Sequence, residues 1–192
     1  FVEDRGFDVV HVKTDSIKIP GATPEIIEEV MKFGEKYGYS FEHEETYDRF
    51  CLVNDAVYVS RTDGKWSATG AQFQHPIVFK TLFTKEDTDA TDYIEVKQVS
   101  KGVMYLRSEH SGVDTFVGKF GAFVPVLEGR TLLRIDGDKE SAVTGTKDYL
   151  WELDTVALDE SFGLQIDFSY YQKLIDDAKA NIEKYGDFAE FV

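Results

Sequence analysis

Cysteine is all but absent from this chain. Cys51 stands alone in 192 residues, so an internal disulfide is excluded, which fits a reducing compartment; within "RFCLVND" the thiol reads as a small buried hydrophobe. Zinc chemistry has little support either, because His11, His75 and His110 are scattered with no HExxH or paired-cysteine spacing. No stretch approaches the roughly 18 consecutive apolar residues of a membrane span. The opening residues "FVEDRGFDVV" lack the basic start and apolar run of a signal peptide, and an initial Phe leads us to expect a piece of a longer reading frame or a processed chain. Nucleophile and phosphate motifs are missing as well. No GxSxG elbow occurs, and "GKFGAF" and "TGTK" fit turns rather than GxxxxGK[ST].

Basic residues are also scarce: 21 Lys and Arg stand against 36 Asp and Glu, for a formal charge of -15. Duplex binding draws its affinity from neutralised phosphates, so this balance argues against a nucleic-acid role for the surface as a whole. A local basic groove remains compatible with an acidic exterior. What the chain does have is apolar material, 42% of it hydrophobic and 14% aromatic, enough to bury one core or two small ones. It carries no internal repeat and no low-complexity segment.

Periodicity divides the chain into two kinds of segment. "DVVHV" (8–12) and "SIKI" (16–19) read as short strands of a hairpin with Asp15 at or beside its tip. "ATPEIIEEVMKFGEKYG" has Thr23 as N-cap, Pro24 at the first helical position and Glu25 in the first turn. Ile26, Val30, Phe33 and Tyr37 make its apolar stripe, and Gly38 closes it. From Tyr39 to Phe73 the pattern turns to strands, "YSFEHEETYDRFCLVN", "AVYVSR" and "WSATGAQF", with Asp63-Gly64 marking a tight hairpin turn. This order predicts an α+β fold, an antiparallel sheet with a helix on one face.

His75-Pro76 reads as a boundary, dividing residues 1–74 from a mixed β-rich and helical region, 75–192. There "PIVFKTLFT" predicts a short helix and "KEDTDATD" (85–92) a solvated loop. Strands are expected at "YIEVKQV", "GVMYLRS", "DTFVGKFGAFVPV", "TLLRID", "SAVTGT" and "YLWEL". A terminal helix follows, with Tyr171, Leu174, Ile175, Ala178, Ile182 and Tyr185 on one face and Gly186 as its cap.

Asp15 is the residue whose chemistry matters most. A carboxylate at a hairpin tip is held with little freedom, which suits a metal ligand, although Thr-Asp-Ser is also an ordinary turn sequence. The acids of "EHEETYD" (42–48) around His43 do not converge, because strand alternation splits them between two faces. An acid pair such as Asp15 with Glu42 or Glu44 is the form a carboxylate hydrolase would take.

Taken in order, "FVEDRGFDVVHVKTDSIKIP", the helix, "EHEETYDRFCLVNDAVYVSR" and "WSATGAQF" resemble the C-terminal part of a family B DNA polymerase of the bacteriophage and prophage type. The likeness is most specific over residues 1–74, the second half of a palm, and continues as a thumb-like region over 75–192. His11, Val12, Lys13, Thr14, Asp15 and Ser16 align with the family's Tyr-Gly-Asp-Thr-Asp-Ser motif. The resemblance implies that Asp15 is a catalytic ligand to Mg²⁺ in a two-metal nucleotidyl transfer, with a second aspartate outside these residues. It implies further that Thr14, Ser16, Tyr58 and Gly70 contact nucleotide or DNA, Tyr58 as the tyrosine of a Lys-Lys-Arg-Tyr primer element. The partners would be primer-template DNA and deoxynucleoside triphosphates, with no membrane involved, in a cytoplasmic setting.

Two departures are plain. Lys13 stands where the motif has its first aspartate, and Asn54, Asp55 and Ala56 stand near where the basic residues of the primer element belong. Arg61 and Lys65 are the nearby cations that would compensate. The residues 1–192 alone are expected not to polymerise. Other readings left open by the residues are an acidic binding or interaction module and a degenerate polymerase remnant without catalysis.

Overall fold

The computed structural model describes residues 1–143, 145–151 and 166–192. The fold is α+β with antiparallel strand pairing, and the chain divides into two compact units. One unit comprises Phe1–Phe73 with Ile182–Phe191, the other Gln74–Asn181.

In the first unit, β1 (His11–Lys13) and β2 (Ser16–Lys18) form a hairpin joined by Thr14 and Asp15, in the register His11↔Lys18, Val12↔Ile17 and Lys13↔Ser16. Helix α1 (Pro24–Lys36) begins as its sequence dictates: the Thr23 hydroxyl accepts a hydrogen bond from Ile26 N–H, and Pro24 occupies the first turn, where its missing N–H costs nothing. Ile26 is buried, and Gly34 lies under the Phe41 ring. The stripe fades outward, however, with Phe33 and Tyr37 both exposed.

Strands β3 (Arg49–Asn54), β4 (Val57–Thr62) and β5 (Lys65–Thr69) form an antiparallel meander. The β4–β5 turn uses Asp63 at φ 49° and Gly64 at φ 74°, the positive pair that the Asp-Gly sequence predicts. Residues 39–48, expected to begin a strand, have no regular structure. The reason is physical: Glu42, Glu44 and Glu45 are exposed and crowded with like charge, so a strand there would bury nothing and repel itself. One face of the meander carries Cys51 beside Val59 and Val59 beside Ala68. Val59 is fully buried, worth roughly 1.5–3 kcal/mol for such a side chain. On the Trp66 side the C-terminal segment returns, with Phe191 5.4 Å from Trp66 and the Tyr185 hydroxyl donating to Val53 O at 3.4 Å.

In the second unit, a short helical segment starts at Pro76. His75 caps it, its Nδ1 accepting from Ile77 N–H, and the segment widens over Lys80–Thr84 before ending at Lys85. The acidic stretch 85–92 is exposed as expected from Lys85 to Thr91, while Asp92 departs from it: Asp89 and Asp92 form a capping box, and Asp92 is buried against Lys80 at 2.7 Å. Strands β6 (Glu95–Gln98), β7 (Val103–Arg107), β8 (Asp114–Gly118), β9 (Phe120–Asp136), β10 (Lys139–Ala142) and β11 (Asp148–Trp151) make one sheet.

Its organiser is β9. The first half of β9 pairs with β6 and β11, and its second half with β7 and β10. The sequence suggested two strands separated by a turn at Glu128-Gly129-Arg130. Residues 126–130 instead bulge within β9, since the adjacent β11 residues Asp148 and Tyr149 pair with Thr131 and Pro125, and a Cβ at Gly129 would lie 2.7 Å from the Tyr149 carbonyl oxygen, so the bulge requires glycine. Met104, Leu106, Phe123, Leu132 and Tyr149 fill one core of this unit, while Ile77, Val124, Val126, Ile166 and Tyr171 fill another. Helix α2 (Phe168–Glu183) buries Tyr171 and Ala178 of the expected stripe, and Ile182 where the chain re-enters the first unit, whereas Tyr185 lies beyond the helix end and is exposed. The ends of the expected "YLWEL" strand and Thr144 of "SAVTGT" lie outside the described residues.

Candidate active site

The β1–β2 hairpin is seated by its base. His11 and Lys18 are register partners at that end. His11 is only 6% exposed and its ring lies 6.2 Å from Tyr58 of β4. Tyr58 lies 5.4 Å from Phe50 of β3, and Phe50 lies 5.1 Å from Tyr47. The Lys18 ammonium closes the row, 5.2 Å above the Tyr47 ring, a cation–π contact that ties β2 to the same aromatics. Burial pushes the Tyr47 phenol up, against the opposing pull of Lys18.

The tip is left free. Thr14 and Asp15 are exposed, neither has a positive φ, and Ser16 is half-buried opposite Lys13. A rigid base with a free two-residue loop presents the Asp15 carboxylate to whatever approaches from outside the unit.

His11 is unusual in a second way. Both ring nitrogens are buried and lack a hydrogen-bond partner, and the nearest acid, Asp55 in the β3–β4 turn, is 3.9 Å away. Sequence reasoning counted His11 among the scattered histidines and aligned it with the first position of the motif, but gave it no role. The signal that marks it is a polar residue inside the apolar run "VVHV", which strand alternation turns to the same side as Lys13.

The other expected residues fall around this seat. Tyr58 is half-buried, with Leu52 and Thr69 as register neighbours. Gly70 follows Thr69 at φ 90°, and a Cβ there would lie 2.6 Å from the Ala56 carbonyl oxygen, so β5 passes close against the β3–β4 turn. Thus Tyr58, Gly70 and the Asn54-Asp55-Ala56 turn are neighbours of the hairpin base. Arg61 and Lys65 separate. Arg61 is three residues from Tyr58 and therefore faces the other side of β4, where its guanidinium lies over Trp66 at 5.3 Å and 3.9 Å from Asp48. Lys65 is the register partner of Thr62, is exposed, and shares the Tyr58 side.

Among the described residues no three His, Cys, Asp or Glu side chains converge on one point. The pairing of Asp15 with Glu42 or Glu44 gains nothing, since both glutamates are exposed in the irregular segment.

No protein-family model, no curated protein and no solved structure matches the chain. No helix among the described residues is long and apolar enough to cross a membrane.

Proposed function

We propose that this chain is the C-terminal part of a DNA-directed DNA polymerase, with Phe1–Phe73 serving as the second half of its palm and Asp15 as a catalytic ligand to Mg²⁺. The observation that carries this reading is the seating of the hairpin: a fixed base, His11 and Lys18 on the aromatics of β3 and β4, and a free acid at the tip. Two Mg²⁺ ions roughly 4 Å apart would activate the primer 3′-hydroxyl and stabilise the leaving pyrophosphate. Asp15 supplies one fixed anionic oxygen for them, and a second carboxylate comes from residues outside this chain. Thr14 and Ser16 border the nucleotide, and Tyr58, one aromatic step from His11, faces the primer terminus with Gly70 behind it. The partners are primer-template DNA and deoxynucleoside triphosphates.

Lys13 favours a second reading. It is exposed on β1, two residues before Asp15, and its ammonium repels a divalent cation where the motif has a carboxylate. In that reading the unit keeps the palm scaffold and has lost catalysis, serving as an acidic binding module. Primer extension by the polymerase containing these residues separates the two. Activity that is lost on Asp15→Ala, with primer-template binding unchanged, supports catalysis; a parent protein inactive with Mg²⁺ or Mn²⁺ supports the scaffold.

A further inference from the structure

His75 uses both of its ring nitrogens. Nδ1 accepts from Ile77 N–H at 3.2 Å and so caps the helical segment that starts at Pro76. Because a backbone N–H can only donate, Nδ1 is bare and the ring's single proton sits on Nε2. That nitrogen donates to Glu95 Oε1 of β6, 2.7 Å away. Both side chains are mostly buried, at 14% and 11% exposure. One neutral imidazole therefore bridges the start of the segment to the sheet, and it can do so in one tautomer only.

The groups around this bridge hold their charge. Lys97, on the same strand, reaches the other Glu95 oxygen at 3.1 Å, and its ammonium lies over the Tyr149 ring of β11. From α2 the Tyr171 ring lies 5.8 Å from the imidazole, with its hydroxyl donating to Tyr93 O, while Tyr170 adjoins Glu95. Burial raises the Glu95 carboxyl, but His75 and Lys97 outweigh it and hold the group below the usual carboxylate range. Burial pushes the Tyr149, Tyr170 and Tyr171 phenols up. Between pH 5 and 8, where an imidazole changes charge, these carboxyl and phenol neighbours keep theirs.

A second proton on the ring has one place to go. Nε2 is already protonated, so the proton enters at Nδ1, meets the Ile77 N–H donor to donor, and ends that hydrogen bond. The positive ring at the same time strengthens its hold on the Glu95 carboxylate, as a charge-assisted hydrogen bond. The two ends of the bridge thus respond in opposite senses. Ile77 is itself buried, in the core formed with Val124, Val126, Ile166 and Tyr171, so the freed amide belongs to a packed residue rather than to a frayed end.

We propose that His75 is a proton-operated latch in the second unit: on taking its second proton, the ring keeps Glu95 and releases the first turn of the helical segment at Ile77. The device is separate from Asp15 and does not rest on the polymerase reading.

The test is nuclear magnetic resonance of the isotopically labelled 192-residue chain between pH 5 and 8. At the upper end the ring should show a bare Nδ1 and a protonated Nε2. As pH falls, the ring and the Ile77 amide should titrate with one common midpoint. Exchange of the Ile77 amide, corrected for its intrinsic pH dependence, should accelerate about fivefold, the loss of one N-cap. His75→Asn supplies a capping oxygen that cannot titrate, so its Ile77 amide should stay protected across the range, whereas His75→Ala should lose protection throughout. A proton on Nδ1 at the upper end, a ring that keeps one charge throughout, or an Ile77 amide indifferent to the titration of the ring would each overturn the proposal. Equal acceleration in His75→Asn would overturn it too, by assigning the pH dependence to another group.

Discussion

His11 and Tyr58 join the two β elements of the first unit, their rings 6.2 Å apart with His11 almost fully buried between them. Because both imidazole nitrogens lack partners, the ring acts chiefly by its shape. His11→Ala should therefore cost roughly 2–4 kcal/mol by opening a cavity, while His11→Phe should stay within about 1 kcal/mol of the parent because it removes two orphaned polar atoms. Urea unfolding followed by tryptophan fluorescence measures both. A His11→Phe loss as large as that of alanine would show that the imidazole has a polar partner in solution.

Gly70 tests the close passage of β5. With φ at 90° and the Ala56 carbonyl oxygen 2.6 Å from the site of a Cβ, Gly70→Ala combines backbone strain with a clash. It should cost at least about 2 kcal/mol. Gly38→Ala also meets a positive φ, at 83°, but nothing lies within 4 Å, so it should cost less. Equal denaturation midpoints for the two variants would remove the packing argument.

The second unit has a pH-sensitive anchor in Glu95. Burial raises its pKa, but hydrogen bonds and charge from His75, 2.7 Å away, and Lys97, 3.1 Å away, outweigh that and hold it below the usual carboxylate range. A depressed folded-state value stabilises the fold above the unfolded pKa of about 4.3 and loses that contribution as pH falls through the folded value. Melting temperature should therefore drop on acidification from about pH 4.3 downward, and Glu95→Gln should flatten that drop. An unchanged slope in Glu95→Gln would assign the acid sensitivity elsewhere.

The parts legible in the sequence were those set by near neighbours. Thr23, Pro24 and the apolar stripe specified α1, and Asp63-Gly64 specified its turn, because capping and positive φ are decided within a few residues. The α+β class followed from the order of such elements. Distant partners decided the rest. Glu128-Gly129-Arg130 has turn chemistry and does interrupt the ladder with β11, but as a bulge inside β9 rather than a turn, because the Tyr149 backbone packs against Gly129. Asp92 looked like part of a solvated acidic loop until Lys80 provided its partner. At the candidate site, local pattern left Asp15 an ordinary turn residue and the resemblance alone singled it out, whereas the seating of its hairpin through His11 and Lys18 depends on Tyr58 and Tyr47, far along the chain. Arg61 showed the opposite case: its position on the strand already turned it away from Tyr58, and simple alternation would have removed it from the groove.

Asp15 is the center of the account, and incorporation is its most direct measure. The experiment is single-nucleotide primer extension with Mg²⁺ by the proposed polymerase containing these residues, comparing the parent with Asp15→Ala and Asp15→Asn, alongside primer-template affinity. Loss of one fixed metal ligand predicts incorporation reduced by about a thousandfold or more, with DNA affinity within about threefold of the parent. Incorporation retained in both variants would contradict the assignment of Asp15 to the metal site.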